Sequence, residues 1–336
     1  MLRVGIIGAG AMGAEHAYVF GEMAGAQVAG VFSRTEARAA AVAESCGAAP
    51  YTDAMALIES DAVDAIDVCT PSEHHAPFVL AALAAGKHVF CETPFALRLD
   101  EARQMRDAAR AAGRLLQVGL LMRSVAPYAH VKALADSGGH GSLISLSTWR
   151  LGSYLRPGSA EHKPHYSDPS TELMTFDFDF ATWLLGRPAR IAASAAGETR
   201  GGPGEISALL TYDDGRHAAV QASGLMPIGC PFMAGFRALF EGAAFDLRNS
   251  FQQNGPPISS FTVSDDHSPP RDVGLAGDNP YAVELRRFVD CIGGRADAAL
   301  LDADRAIEAL VLSHATQASL ASGRTIEMSD WAEAAP

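Results

Sequence analysis

Short apolar runs and longer amphipathic runs take turns along the first third of the chain. Residues 4–7, 28–32, 65–69, 88–91 and 115–118 are compact apolar stretches that read as strands. Between them, residues 14–23, 36–45, 53–59, 77–85 and 99–112 carry apolar positions at helical spacing, and Gly86 and Gly113 end the last two. Strands alternating with helices of about ten residues predict a parallel, doubly wound α/β sheet, with ligands at the carboxyl ends of its strands. The pattern changes near Arg123. Residues 128–137 read as a helix, 143–151 as a strand, 152–170 as a polar loop, and 171–185 as an apolar helix stopped by Gly186 and Pro188. Strand-like segments follow at 189–197, 206–212, 217–225, 236–241 and 244–248. Residues 254–278, rich in Pro, Ser and Asp, read as a mobile loop, and 281–291 and 302–322 as helices. This part predicts an α+β domain with a mostly antiparallel open sheet. The expected division is 1–122 for the first domain and 123–336 for the second, with the last helices able to pack back on the first.

The first strand runs into Gly8-Ala9-Gly10-Ala11-Met12-Gly13. The G-x-G-x-x-G spacing, with a strand before and a helix after, is the context a dinucleotide site needs. Gly8 serves the tight turn, Gly10 lets the backbone approach a pyrophosphate, and Gly13 lets the helix sit close. The helix N-terminus then offers N–H groups and a positive dipole end to the anion. Gly8, Gly10, Ala11, Met12 and Gly13 are therefore candidate cofactor contacts. The second strand ends Ser33-Arg34-Thr35 instead of in the acidic residue that bonds a ribose 2′-hydroxyl. Ser33 and Arg34 favour a 2′-phosphate, hence NADP over NAD.

Composition narrows the partners. The 336 residues carry 39 acidic and 26 basic side chains, for a net charge of −13. Such a chain repels nucleic acid and anionic membranes, so neither is an expected partner. The five cysteines are scattered, with no C-x-x-C pair, which fits a reducing cytoplasm and suggests neither a disulfide framework nor a zinc site. The expectation is a cytoplasmic protein with no signal peptide, no membrane helix and no metal. His74 and His75 are neighbours whose side chains point apart, which suits packing and capping better than metal binding.

Thr70-Pro71 with His75, and Glu92-Thr93-Pro94, follow strands at the same sheet edge as the glycine turn. With the glycine motif and His16, with the run Ala85-Gly86-Lys87-His88-Val89-Phe90-Cys91-Glu92, with residues 119–128, and with Trp183-Leu184-Leu185-Gly186, the chain resembles the Gfo/Idh/MocA oxidoreductases over nearly its whole length. The resemblance implies a Rossmann domain joined to an α/β domain whose open sheet mediates homodimers or homotetramers. It adds Thr70, Pro71, His75, Glu92 and Thr93 to the cofactor contacts.

The chain departs from the family pattern at its chemistry. The signature Glu-Lys-Pro is here Glu92-Thr93-Pro94, and Thr93 offers one neutral hydrogen bond in place of a cation. The second family motif places acidic residues at Glu172 and Asp179, but its proton-transferring histidine is here Phe176. After Gly119 the polar family residues are replaced by Leu120-Leu121-Met122-Arg123. Phe95, Leu121, Met122 and Phe176 read as an apolar pocket wall, with Phe178 a further candidate and Arg123 beside them. Against such a wall each unsatisfied polyol hydroxyl costs roughly 1–3 kcal/mol.

Substitute proton donors come from two places. Glu172, Asp177 and Asp179 read as one helix, with 172 and 179 two turns apart on one face and 177 pointing elsewhere. The loop Glu161-His162-Lys163-Pro164-His165-Tyr166-Ser167-Asp168 offers His165 and Tyr166, with Lys163 as a cation. Tyr154 and Tyr128 are weaker candidates. The expected function is NAD(P)-dependent hydride transfer to or from a hydroxyl, carbonyl or imine carbon of a small, cyclic substrate less polar than a free sugar. Alternatives are a nucleotide-dependent lyase or hydrolase without net redox, and a catalytically silent ligand sensor.

Overall fold

The computed structural model describes residues 1–159, 168–199, 202–252, 255–329 and 331. In chain order the first elements are β1 Leu2–Ile7, α1 Ala11–Glu22, β2 Ala26–Phe32, α2 Glu36–Cys46, β3 Ala49–Tyr51, α3 Ala54–Ile58, β4 Ala65–Val68, α4 His75–Ala84, β5 His88–Cys91, α5 Leu99–Ala112 and β6 Leu116–Val118. The next are α6 Ala126–Ser137, β7 Leu143–Leu151, α7 Pro169–Glu172, α8 Met174–Leu185, β8 Arg190–Thr199, β9 Gly202–Thr211 and β10 His217–Ser223. Then come β11 Phe232–Phe240, β12 Ala244–Phe251, β13 Ile258–Asp265 and β14 Ser268–Asp272, and finally α9 Pro280–Ile292, α10 Ala303–Ser322 and β15 Ile326–Glu327. The chain divides into two compact units, Met1–Ser124 with Asp278–Ile307, and Val125–Gly277 with Glu308–Pro336. Among the described residues no helix is long and apolar enough to cross a membrane.

The first unit holds a six-stranded sheet in the order β3-β2-β1-β4-β5-β6, every pairing parallel. Helices on both faces explain why β1, β4 and β5 are nearly continuous apolar runs, with Val4, Ile6, Ile7, Ile66, Val68, Val89 and Phe90 all buried. The strand order reverses at β1 and β4. The turns after these strands, and after β5, lie at the carboxyl edge where doubly wound sheets bind ligands. α9 belongs to this unit and buries Glu284, Leu285, Phe288 and Val289, the Phe288 ring meeting Phe90 edge-on at 5.5 Å.

The second unit holds a nine-stranded sheet in the order β14-β13-β12-β11-β7-β10-β9-β8-β15. All its pairings are antiparallel except β10 with β7, where Ala218 pairs with Leu146. One face packs on helices. Its centre is a triad of rings, Tyr128, Phe180 and Phe236, with centroids 4.6–5.1 Å apart in tilted and edge-to-face contacts.

Two expectations change. Residues 254–278 are not a mobile loop: they contain the hairpin strands β13 and β14. Counting Pro, Ser and Asp hid a period-two alternation, in which Phe261 and Val263 turn inward between Ser260, Thr262 and Ser264. Pro269 and Pro270 are tolerated because β14 is an edge strand. The helix expected over 171–185 is two helices, broken at Leu173, whose φ of −121° leaves the helical range. It also starts earlier, because Asp168 caps α7 by accepting the Ser170 N–H at 2.8 Å with Pro169 at the first helical position. The short strands β3 and β15 were not anticipated.

The ring triad sets a stability prediction. Phe236 is completely buried, so Phe236→Ala should cost about 3–5 kcal/mol, read from urea unfolding of the second unit's transition. A loss below about 1 kcal/mol would show that the triad is not the centre of that core.

Candidate active site

The glycine turn is built as the phosphate-binding geometry demands. Gly8 has φ of +116°, and a Cβ there would stand 2.7 Å from the Cys69 carbonyl oxygen. A Cβ on Gly13 would fall 1.8 Å from the Gly8 carbonyl oxygen, so α1 can approach the turn only without one. Gly10 caps α1, has nothing within 4 Å of its Cβ position, and supplies no side-chain cap. No acidic side chain stands in the first turn of α1. The N–H groups of that turn, including those of Ala11 and Met12, are thus left for an anion. At the end of β2, Ser33 Oγ accepts the Thr35 N–H at 3.2 Å, and Arg34 is exposed.

The turn after β4 is braced from behind. His75 is buried, with Nε2 at 2.8 Å from the Thr70 carbonyl and Nδ1 at 3.2 Å from the Phe95 carbonyl. Burial pushes this imidazole towards its neutral form, which has one N–H, so the shorter contact to Thr70 is the hydrogen bond. Phe95 is itself buried, so its ring packs inside the unit. Thr93 is also committed: its hydroxyl donates to the Gly119 carbonyl at 2.8 Å. Met122 is buried and Leu121 half-buried in a single 3₁₀ turn. Arg123 is buried and donates to the Leu300 carbonyl at 2.9 Å, inside the same unit.

Beneath Thr93 lies a polar cluster that the sequence signals only in part. His16 is fully buried on α1. Its Nδ1 is 2.8 Å from Asp67 Oδ2 and its Nε2 is 2.9 Å from Glu92 Oε1. Glu92 Oε2 accepts the Thr93 N–H at 2.9 Å. The Cys69 thiol lies 3.4 Å from His16 Nδ1. Glu284 of α9 is fully buried close by, with no hydrogen-bond partner on either carboxylate oxygen. Burial opposes a charge on His16, but the Cys69 sulfur and the Asp67 carboxylate outweigh it and hold the ring well above its ordinary pKa. Burial pushes Glu284 well up, with the Glu92 charge adding to it, and pushes the Tyr281 phenol up to about 12. Asp67 was legible in principle, because a carboxylate inside the buried run Ala65-Ile66-Asp67-Val68 demands a partner. Glu284 carries no such local signal, since an acidic residue is ordinary on an amphipathic helix.

In the second unit the acidic residues of 172–179 are all buried. The break at Leu173 removes the shared helical face expected for Glu172 and Asp179. Asp177, expected to point elsewhere, accepts a hydrogen bond from Arg150 Nε of β7 at 2.8 Å. Burial raises its pKa to about 6, and the neighbouring Arg150 charge only partly offsets this. The Arg150 guanidinium carbon also sits 4.7 Å over the Phe176 ring. Phe176 is half-buried, whereas Phe178 is completely buried in the core and forms no pocket wall. Tyr128 is a core ring and Tyr154 is buried. Lys163, His165 and Tyr166 lie outside the described residues. Sequence reasoning missed Arg150, whose strand position gave no hint of the Asp177 partner.

A doubly wound sheet with an open glycine turn, joined to a unit built on a large open sheet, defines a nucleotide-binding Rossmann protein of two-domain type. Residues 2–120 match the model of an oxidoreductase family with an NAD-binding Rossmann fold, and residues 128–240 match the Gfo/Idh/MocA C-terminal domain. The chain belongs to the Gfo/Idh/MocA family. It is 35% identical over 193 residues to inositol 2-dehydrogenase 2 of Saccharopolyspora erythraea, a match covering 55% of this chain and 54% of that one. The alignment thus spans about half the length of that relative. It is 27% identical over 316 residues to the scyllo-inositol 2-dehydrogenase (NAD(+)) of Bacillus subtilis, covering 91% and 90%. Its fold is shared with UDP-N-acetylglucosamine 3-dehydrogenase of Acidithiobacillus ferrooxidans, at a TM-score of 0.79 and 23% identity over 96% and 98% of the two chains.

Two glycines should separate binding from folding. Gly10→Ala, with open space at its Cβ position, should keep the wild-type melting temperature and lose at least about tenfold in dinucleotide affinity, about 1.4 kcal/mol. Gly13→Ala should instead lower the melting temperature by several degrees, read by calorimetry without ligand.

Asp177 sets a pH dependence. Its folded pKa of about 6 stands above the ordinary 3.8, so the folded chain binds more protons between those values. Its contribution to stability is therefore full below about pH 4 and is lost as pH rises to about 6, an amount of about 1–3 kcal/mol. Urea unfolding at both pH values should show this slope in the wild type and a flatter one in Asp177→Asn.

Proposed function

We propose that the chain is an NAD(P)-dependent oxidoreductase that transfers a hydride between the nicotinamide and a hydroxyl, carbonyl or imine carbon of a small cyclic substrate less polar than a free sugar. The observation that carries the redox reading is the uncapped, carboxylate-free N-terminus of α1 behind the Gly8 turn. It suits a pyrophosphate, and the family's NAD-binding model matches the same residues. The cofactor supplies the hydride chemistry, and the protein supplies orientation and proton handling. Relatives named as inositol dehydrogenases support a ring substrate. The commitment of the Thr93 hydroxyl to Gly119, where the family resemblance expects a lysine, argues against polarisation of a substrate oxygen from that position. A protonated imine needs no such cation, and a carboxylate such as Glu92 suits its charge.

Ser33 and exposed Arg34 at the end of β2 support NADP over NAD. The outer face of the nine-stranded sheet, with Leu209 and Leu239 exposed on it, is the surface proposed for a homodimer or homotetramer.

Fluorescence titration of nucleotide-free protein tests the cofactor. NADPH should bind with micromolar or tighter affinity and NADH more weakly, and Arg34→Ala should weaken NADPH alone by about tenfold, the scale of one charge-assisted phosphate contact. Equal binding of both would remove NADP selectivity, and binding of neither by folded protein would remove the enzyme reading. Thr93→Lys should leave imine reduction unimproved, and a large gain on a sugar alcohol would overturn the proposed substrate class.

A further inference from the structure

The buried cluster of the first unit has the composition of a cation site. We propose that His16 Nε2, Glu92 Oε1 and the Glu284 carboxylate bind a divalent first-row transition ion, with Asp67 as the outer partner that orients the imidazole.

The donor atoms come from three elements and converge. His16 is on α1, Glu92 follows β5, and Glu284 is on α9, with their ligand atoms all within 4.8 Å of one another. His16 Nε2 and Glu92 Oε1 are 2.9 Å apart. Two donors each about 2.1 Å from one ion and at right angles to each other would stand about 3 Å apart, so the ion needs no rearrangement of this pair. Asp67 holds Nδ1 at 2.8 Å, which keeps an N–H on that nitrogen, and a bound ion takes the place of the proton on Nε2, the nitrogen that faces Glu92. A carboxylate behind a histidine is the recurrent outer arrangement of metal sites.

Glu284 is the independent observation. Its side chain is fully buried, both its oxygens lack a hydrogen-bond partner, and one of them lies within 4.8 Å of the other donors. A buried carboxylate without donors is costly, and a divalent cation is the group that satisfies it. Glu92 keeps 13% of its side chain exposed, which provides the path of entry. A second set of donors, His16 Nδ1, Asp67 and Cys69, lies on the other side of the ring. It is the weaker choice, because Asp67 is already spent on Nδ1 at 2.8 Å. The ligand set mixes one nitrogen with carboxylate oxygens, which suits Mn²⁺, Co²⁺ or Zn²⁺ over a thiolate-preferring ion.

The site shares Glu92 with the proposed reaction site, but its test needs neither nucleotide nor substrate. Full-length protein is stripped with chelator, dialysed, checked for folding by circular dichroism, and titrated with Co²⁺ alone by visible absorption and calorimetry. The expected result is one equivalent bound with micromolar or tighter affinity, visible ligand-field bands, and no sulfur-to-cobalt band in the near ultraviolet. Glu284→Gln and, separately, Glu92→Gln should each weaken binding at least tenfold, and Asp67→Asn about 10–100-fold as an outer partner. Two variants are used so that a folding failure of one leaves the other decisive. No saturable binding by folded wild type would overturn the proposal and leave protons as the neutralising charge. Binding unchanged in both glutamine variants would overturn it too, by placing the ion elsewhere, and so would a sulfur band, by placing it on Cys69 or on the partly exposed Cys46, Cys230 or Cys291. Titration of the same stripped protein with NADPH tests the nucleotide site independently.

Discussion

Neutralising Asp67 is the constraint on which the first unit depends. A carboxylate in the middle of a strand covered on both faces cannot stay charged without a partner, because the desolvation penalty is several kcal/mol per ion. His16 provides the partner from α1, and through its other nitrogen reaches Glu92 after β5. α9 closes the cluster with Glu284 and Tyr281, the Tyr281 ring 5.9 Å from that of His16. One imidazole therefore joins the central strand, the helix with the uncapped N-terminus, and the turn bearing Glu92 and Thr93. Breaking it would leave buried charge at each end, so these elements hold their positions together.

The close approach of Gly13 to the Gly8 carbonyl acts on the same helix. The glycine contact sets how near α1 comes to the β1 turn. The His16–Asp67 contact, one turn further along, sets how the helix is rotated about its axis. With distance and rotation both fixed, the free N–H groups have one direction in which to point. Preorganised donors of this kind bind an anion without paying to order the loop first.

Much of the fold was legible because the responsible signals are local. Continuous apolar strands, glycine stops at Gly86 and Gly113, and the β1 turn each depend on a few adjacent residues. The hairpin of β13 and β14 was hidden because its inward residues, Phe261 and Val263, are outnumbered by the polar residues between them. The break at Leu173 was hidden for a different reason: both halves of 169–185 are good helix, and periodicity cannot register a single non-helical residue between them. The candidate site was legible where it is contiguous, as in the glycine turn and Glu92-Thr93-Pro94. It was illegible where it depends on residues far apart, as with Arg150 and Asp177, or Glu284 and His16. A pattern search sees spacing along the chain, and these pairs are defined only by packing.

Thr93 and Phe176, where the family resemblance leads one to expect a lysine and a histidine, each have a partner within their own unit. Thr93 spends its hydroxyl on the Gly119 carbonyl, and Phe176 offers its ring to the Arg150 guanidinium. Neither position is an empty place left by a lost group, since each is stitched into its own unit. Restoring a lysine at 93 would have to break the Gly119 bond and place a second cation in the neighbourhood of His16. The Glu92 carboxylate already accepts the Thr93 N–H and faces His16, so its charge is shared before any substrate arrives. Position 93 thus joins the cluster through its backbone N–H, while its side chain is held by Gly119.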